Sequence, residues 1–171
     1  TDRLGALQAL IGAHAELATP ALARMHEMFA GNPLVLDKWF ALQAAAPEPV
    51  GDGAGQVLAQ ARTLLKHRDF SLKNPSRARS LVFTLCMANP AAFHRRDAGG
   101  YVFWADRLLE LDALNPQAAA RLARAMDRWT VLAEPYRSAA HEAITRVAAR
   151  DGLSDDVREI VQHALAAGEP S

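Results

Sequence analysis

Apolar residues recur along the whole chain with the spacing of amphipathic helices, and no segment alternates in the way of a half-buried strand. After the Asn74-Pro75 pair, for example, Ala78, Leu81 and Leu85 follow the i, i+3, i+7 pattern of one helix face. The stripes predict helices near residues 4–12, 19–29, 33–46, 56–67, 100–111 and 134–150, a short turn or helix at 90–94, and helices beginning at 75, 116 and 155.

Local signals mark the starts of these helices. Asparagine is an effective N-cap and proline suits the first helical position, so an Asn-Pro pair predicts a helix start. The Thr19-Pro20 pair predicts another start for the same reason, and Ser154 caps a helix whose first turn carries negative charge. The four Asn-Pro starts lie at Asn32, Asn74, Asn89 and Asn115.

Three of these starts recur at a nearly constant interval. Asn32, Asn74 and Asn115 are 42 and 41 residues apart, within the period of about 40–47 residues of HEAT and armadillo repeats. The interval predicts an all-α, ARM/HEAT-like superhelix of stacked antiparallel helix pairs, with about eight to nine helices. An irregular helical bundle would carry the same caps, and the intervening sequences are not visibly similar.

Composition narrows the functional classes. The 171 residues have the length of one domain, and half of them are hydrophobic, which disfavours disorder. Nineteen basic and nineteen acidic residues cancel, which argues against nucleic acid as the main partner. No apolar run reaches the length of about 18 residues that a membrane span requires. The single cysteine, Cys86, excludes an internal disulfide and favours a reducing compartment, here the cytoplasm.

The histidines do not form a recognisable zinc motif. An H-E-x-x-H helix needs a second histidine four residues after the first, but His26-Glu27 is followed by Ala30 and His141-Glu142 by Thr145. No nucleophile elbow or phosphate-binding loop is present, and Cys86 is predicted to be a packed apolar side chain. We therefore predict no metal site and no catalytic residue in this chain. The remaining histidines are interpreted as surface or cap residues: His14, His67, His94 and His163.

Arginines at the edges of the apolar stripes are the candidate binding residues. On a helical wheel, Arg77 and Arg79 lie about 100° to either side of their stripe. Arg121 borders the stripe of the helix that begins at 116, whereas Arg124 and Arg128 fall on the opposite face. An arginine at such an edge can reach into a cavity and bind a carboxylate through two hydrogen bonds. The alternative is an ordinary solvated arginine.

Four blocks carry a resemblance to a known family. They read D-K-W-F-A-L-Q-A (37–44), L-L-K-H-R-D-F-S-L-K-N-P-S-R-A-R-S-L (64–81), N-P-A-A-F-H-R-R-D-A-G-G-Y (89–101) and N-P-Q-A-A-A-R-L (115–122). Together they resemble the C-terminal helical domain of bacterial aminopeptidase N, a member of the M1 zinc metallopeptidases or alanyl aminopeptidases. The resemblance runs from about residue 4 to residue 167, so residues 1–171 are interpreted as a single C-terminal domain excised from a larger enzyme.

The resemblance implies that this domain closes over a catalytic domain and controls access of peptides to the active-site cavity. In that family the zinc ligands, the catalytic glutamate and a G-A-M-E-N segment belong to other domains. The larger enzyme from which this chain derives, the parent enzyme, would thus bind zinc and release N-terminal residues from peptides. This chain alone would have no cofactor and no activity. Its partners would be the other parent domains and the peptide. Arg79 and Arg121 match family positions that face the cavity, where they would guide the C-terminal part of a peptide.

Two other classes of function remain to be compared with this one. A free-standing helical-repeat scaffold would bind a protein partner along its concave face and have polar outer faces on both terminal helices. An excised domain would instead expose apolar surface where its neighbour had packed. A small-molecule helical enzyme has no constellation of residues to support it.

Overall fold

The computed structural model describes residues 5–7 and 15–170, except for the side chains of residues 15–18 and 52. Every regular element in these ranges is helical, and no strand occurs among them. The all-α prediction is therefore confirmed. Most of the helix predicted at 4–12 lies outside the described residues. None of the helices in these ranges is long and apolar enough to cross a membrane.

The chain forms two compact units, the first ending at Ala92 and the second beginning at Phe93. A π-helical segment, Arg79–Ala88, continues directly from the short α-helix Pro75–Ala78. Residues 5–7 are helical, and nine α-helices are described after them: α1 (Ala15–Phe29), α2 (Pro33–Ala44), α3 (Gln56–Leu64), α4 (Pro75–Ala78), α5 (Pro90–Phe93), α6 (Gly99–Leu114), α7 (Pro116–Ala123), α8 (Tyr136–Ala148) and α9 (Asp155–Ala166). Short 3₁₀ turns occupy Gly51–Gly53, Arg124–Met126 and Trp129–Val131.

In the first unit, α2 packs against the π-helical segment and against α3. Phe40 from α2 and Leu81 and Leu85 from the π-helical segment are fully buried where these elements meet. The indole nitrogen of Trp39 donates to the carbonyl of Leu22 at 2.8 Å, which ties α2 to α1. The core of this unit therefore forms around α2.

In the second unit, α6 packs against α7 and α8, and α9 packs against α7 and α8. Trp104 is fully buried and donates from its indole nitrogen to the carbonyl of Leu122 at 2.8 Å. The first turn of α6 passes so close to Phe93 that a Cβ on Gly100 would overlap the carbonyl group of that residue. Only glycine fits at that position.

The predicted caps are observed wherever asparagine precedes proline. The side chain of Asn32 accepts from the amides of Leu34 and Val35, and those of Asn74, Asn89 and Asn115 each accept from an amide three residues on. Ser154 likewise caps α9. These five helix starts agree with the sequence analysis.

Several helix boundaries differ from the prediction, among them the end of the helix predicted at 100–111, which runs to Leu114. Thr19 does not cap a helix, because α1 is already helical at Ala15 and continues through Pro20. Proline inside a helix gives up one hydrogen bond, and α1 tolerates that loss. The helix predicted at 56–67 ends at Leu64. The helix predicted to begin at 116 ends at Ala123 and is followed by two 3₁₀ turns, in the second of which Trp129 is buried.

Candidate functional site

Arg79, the first predicted channel residue, lies at the start of the π-helical segment with its side chain exposed. Its guanidinium donates to the hydroxyl of Ser76 at 3.3 Å. Within the described ranges no acidic side chain forms an ion pair with Arg79. The charge is therefore available to a carboxylate from outside this part of the chain.

Arg121, the second predicted channel residue, is exposed in the last turn of α7. It lines a cleft of about 510 Å³ between α7 and α9, together with Arg124, Asp156 and Glu159. Arg124 therefore shares this surface with Arg121 and does not lie on the opposite face as predicted. It is paired with Asp127 at 3.4 Å, whereas no acidic residue of the described part pairs with Arg121.

The two predicted channel residues belong to different units. Arg79 lies in the first unit and Arg121 in the second. Each is exposed within its own unit, as a residue that binds an external ligand must be. It stays a prediction that the side chains of Arg79 and Arg121 face one peptide-holding cavity.

Arg77 has a role that the sequence analysis did not identify. Its side chain is buried, and its Nε donates to the carboxylate of Asp37 at 2.7 Å. Another guanidinium nitrogen donates to the carbonyl of Asp69, and the guanidinium carbon lies 5.3 Å from the centroid of the Phe40 ring. Arg77 therefore joins α2, α4 and the turn that precedes α4, and its contacts are already filled within the chain.

His26, His67 and Asp69 form a cluster of titratable groups next to Arg77. Nε2 of His26 lies 2.7 Å from Oδ2 of Asp69. The amide of Asp69 donates to Nδ1 of His67 at 3.0 Å, and this nitrogen lies 3.7 Å from the same Oδ2 atom. The interpretation of His67 as a surface or cap residue was incomplete, because its ring packs against Trp39 and Phe40 with centroids 5.1 and 5.7 Å apart.

The protonation states of this cluster follow from its surroundings. Burial lowers the pKa of His67, which keeps its imidazole neutral at neutral pH. The hydrogen bond from His26 lowers the pKa of Asp69, which keeps its carboxylate ionised. The cluster therefore presents one neutral imidazole and one negative charge at neutral pH.

His94 belongs to a structural contact in the second unit. Its Nδ1 lies 2.6 Å from the hydroxyl oxygen of Tyr101, and the two groups form a hydrogen bond. Burial lowers the pKa of His94 and raises the pKa of Tyr101 to about 12. His94 is therefore a neutral, partly buried side chain that holds the turn before α6, so its interpretation as a surface or cap residue was incomplete.

Comparison with protein-family models identifies the fold. The model described as DUF3458_C, a domain of unknown function with ARM repeats, matches residues 1–166. The chain belongs to this family. Its ARM-repeat description agrees with the all-helical structure and confirms the predicted fold class.

Curated relatives confirm the resemblance to aminopeptidase N. The chain is 37% identical over 165 residues to aminopeptidase N of Caulobacter vibrioides, covering 96% of this chain, and 36% identical over 166 residues to that of Escherichia coli, covering 97%. In each case it spans only 18% of the relative. The crystal structure of Legionella pneumophila aminopeptidase A in complex with aspartic acid superimposes with a TM-score of 0.85 and 26% identity, over 95% of this chain and 18% of that one.

Proposed function

We propose that this chain is the C-terminal domain of a zinc-dependent M1 aminopeptidase, in which it caps the active-site cavity and controls the access of peptides. The observation that carries the proposal is the extent of the likeness. Aminopeptidase N matches the chain over 96–97% of its length, yet the match covers only 18% of each relative. A segment of this kind is a domain of a larger enzyme that releases N-terminal residues from peptides.

In this proposal the chemistry belongs to the rest of the parent enzyme. Zinc would activate a water molecule for attack on the first peptide bond. The two His-Glu pairs of this chain lack the second histidine of a zinc-binding helix, since Ala30 follows His26 and Thr145 follows His141 at that spacing. The chain would supply the wall of the cavity and no catalytic residue.

Arg79 and Arg121 would contact the C-terminal part of the peptide. A guanidinium group binds a carboxylate through two parallel hydrogen bonds, which gives orientation as well as affinity. Both side chains are exposed, and neither forms an ion pair in the described part of the chain, although Asp156 and Glu159 line the same cleft as Arg121. Arg77 cannot take this role because its hydrogen bonds are already made to Asp37 and Asp69.

Steady-state kinetics of the parent enzyme test this role. Arg79→Ala and Arg121→Ala should each raise KM about tenfold for short peptides with a free C-terminal carboxylate, since a charged hydrogen bond contributes about 1.5 kcal/mol or more. The same peptides with an amidated C-terminus should show little change. Arg128→Ala, which also removes an exposed arginine, is the matched control. Equal effects on free and amidated peptides would refute the role.

A second measurement tests the assignment of the chemistry. The chain alone, supplied with zinc, should not hydrolyse an alanine anilide, whereas the parent enzyme should. Zinc-dependent hydrolysis by the chain alone would overturn the proposal.

We also propose a cytoplasmic location, which is supported by the single, buried Cys86 and by the absence of any internal disulfide.

A further inference from the structure

Two histidines and one aspartate from distant parts of the sequence meet in the first unit. His26 comes from α1, whereas His67 and Asp69 come from the turn between α3 and α4. One potential ligand atom from each of the three side chains lies within 4.8 Å of the other two. We propose that His26, His67 and Asp69 bind a zinc ion.

The distances suit a zinc ion after small adjustments. Zinc bonds to histidine nitrogen and carboxylate oxygen at about 2.0–2.2 Å, so tetrahedral ligand atoms are roughly 3.3–3.6 Å apart. The separation from Oδ2 of Asp69 is 2.7 Å for Nε2 of His26 and 3.7 Å for Nδ1 of His67. These two values bracket the required spacing. The third separation, between the two histidine nitrogens, is at most 4.8 Å, so side-chain shifts of about 1 Å open the site.

The hydrogen bonds of the cluster show which lone pairs a zinc ion would use. Nδ1 of His67 accepts the amide hydrogen of Asp69, so it carries a lone pair directed towards that residue. Zinc would take the place of the hydrogen bond between His26 and Asp69, and would take the lone pair of His67 from the amide.

The surroundings hold the three ligands in place. The ring of Trp39 lies 4.9 Å from that of His26 and 5.1 Å from that of His67, centroid to centroid. Arg77 donates to the carbonyl of Asp69 and so anchors the turn that carries two of the ligands. Such outer contacts fix the orientation of ligands and contribute to metal affinity. Three protein ligands leave a fourth position for water, as in many zinc sites.

The basic residues near the site lower its expected affinity for zinc. Nε of Arg68 lies 4.0 Å from Oδ2 of Asp69, but its side chain is 80% exposed and can move into water. The guanidinium of Arg77 is neutralised by Asp37 at 2.7 Å. One acidic ligand next to one mobile basic group predicts binding in the micromolar range, weaker than that of a cysteine-rich structural site.

Competition for zinc with a chromophoric chelator tests the proposal on the whole chain. The expected result is one equivalent of zinc per chain. Asp69→Asn preserves the backbone contacts of this residue and should weaken binding at least tenfold, as should His67→Gln. His141→Gln removes an exposed histidine of the second unit and should have no effect. Absence of binding at about 100 µM zinc, or equal binding by folded Asp69→Asn, would overturn the proposal.

Cobalt provides a readout that does not depend on the variants. If circular dichroism shows that Asp69→Asn does not fold, the unsubstituted chain titrated with Co²⁺ decides the question. An intense visible absorption, typical of four-coordinate cobalt, at one equivalent supports the site. A weak absorption typical of six-coordinate cobalt, or none, overturns it.

Discussion

Replacement of Arg77 by methionine tests whether its buried ion pair stabilises the first unit. Methionine keeps the unbranched apolar stem but leaves Asp37 without a partner at 2.7 Å, and leaves the carbonyl of Asp69 without a donor. Removing one member of a buried ion pair costs about 3–5 kcal/mol. We expect a loss of about 3 kcal/mol, at the lower end, because the side chain of Asp37 is 19% exposed. In a chain of this size that corresponds to a decrease in Tm of roughly 6–12 °C.

Urea unfolding followed by far-ultraviolet circular dichroism measures this loss, and hydrogen exchange should place it in α2 and the π-helical segment. Arg79→Met is the matched control two residues away, and its exposed side chain predicts a change below about 0.5 kcal/mol. The double variant Asp37→Asn/Arg77→Met should lose less stability than the two single variants together, by at least about 1 kcal/mol, because it leaves no unpaired charge buried. A loss below about 1 kcal/mol in Arg77→Met, or strict additivity in the double variant, would refute the reasoning.

Three further predictions concern stability. Burial lowers the pKa of His94 below its usual 6.5, so the unfolded state takes up a proton before the folded state does. The free energy of unfolding should therefore fall as the pH drops through 6.5, until the pKa of the folded state is passed. Urea titrations at several pH values should show a flatter decline for His94→Gln, and an unchanged slope would contradict this prediction. Gly100→Ala forces a Cβ onto the carbonyl of Phe93 and should lower the free energy of unfolding by about 2 kcal/mol or more, whereas Gly31→Ala, in open space, should change it little. Asn115→Ala removes the cap of α7 and should cost about 1 kcal/mol in the same assay; no loss would mean that the cap is replaced by water.

Helix starts could be predicted from sequence because their signals are local. Asn32 and Asn74 cap helices through atoms only two or three residues away, so the cap needs no knowledge of the rest of the fold. Thr19 carried the same signal and was predicted wrongly. Whether a threonine before a proline caps a helix depends on the conformation of the residues before it, and these are helical from Ala15.

Long-range partners could not be predicted in the same way. The helical wheel places Arg77 and Arg79 symmetrically about one stripe, yet Arg77 is buried and Arg79 is exposed. The difference arises from Asp37, which lies 40 residues away in sequence and meets only Arg77. His26 and His67 were missed for the same reason, because 41 residues separate them and neither belongs to a motif with recognisable spacing.

The π-helical segment has a consequence for how the chain tolerates the loss of a residue. Its buried residues are Leu81, Val82, Leu85 and Cys86, and the hydroxyl of Thr84 donates to the carbonyl of Arg79. A π-helical turn holds about one residue more than an α-helical turn. Deletion of one residue between 80 and 87 should therefore convert one turn towards an α-helix and keep both ends of the helix in place. The same deletion in an α-helix would rotate every later side chain by about 100° away from its neighbours.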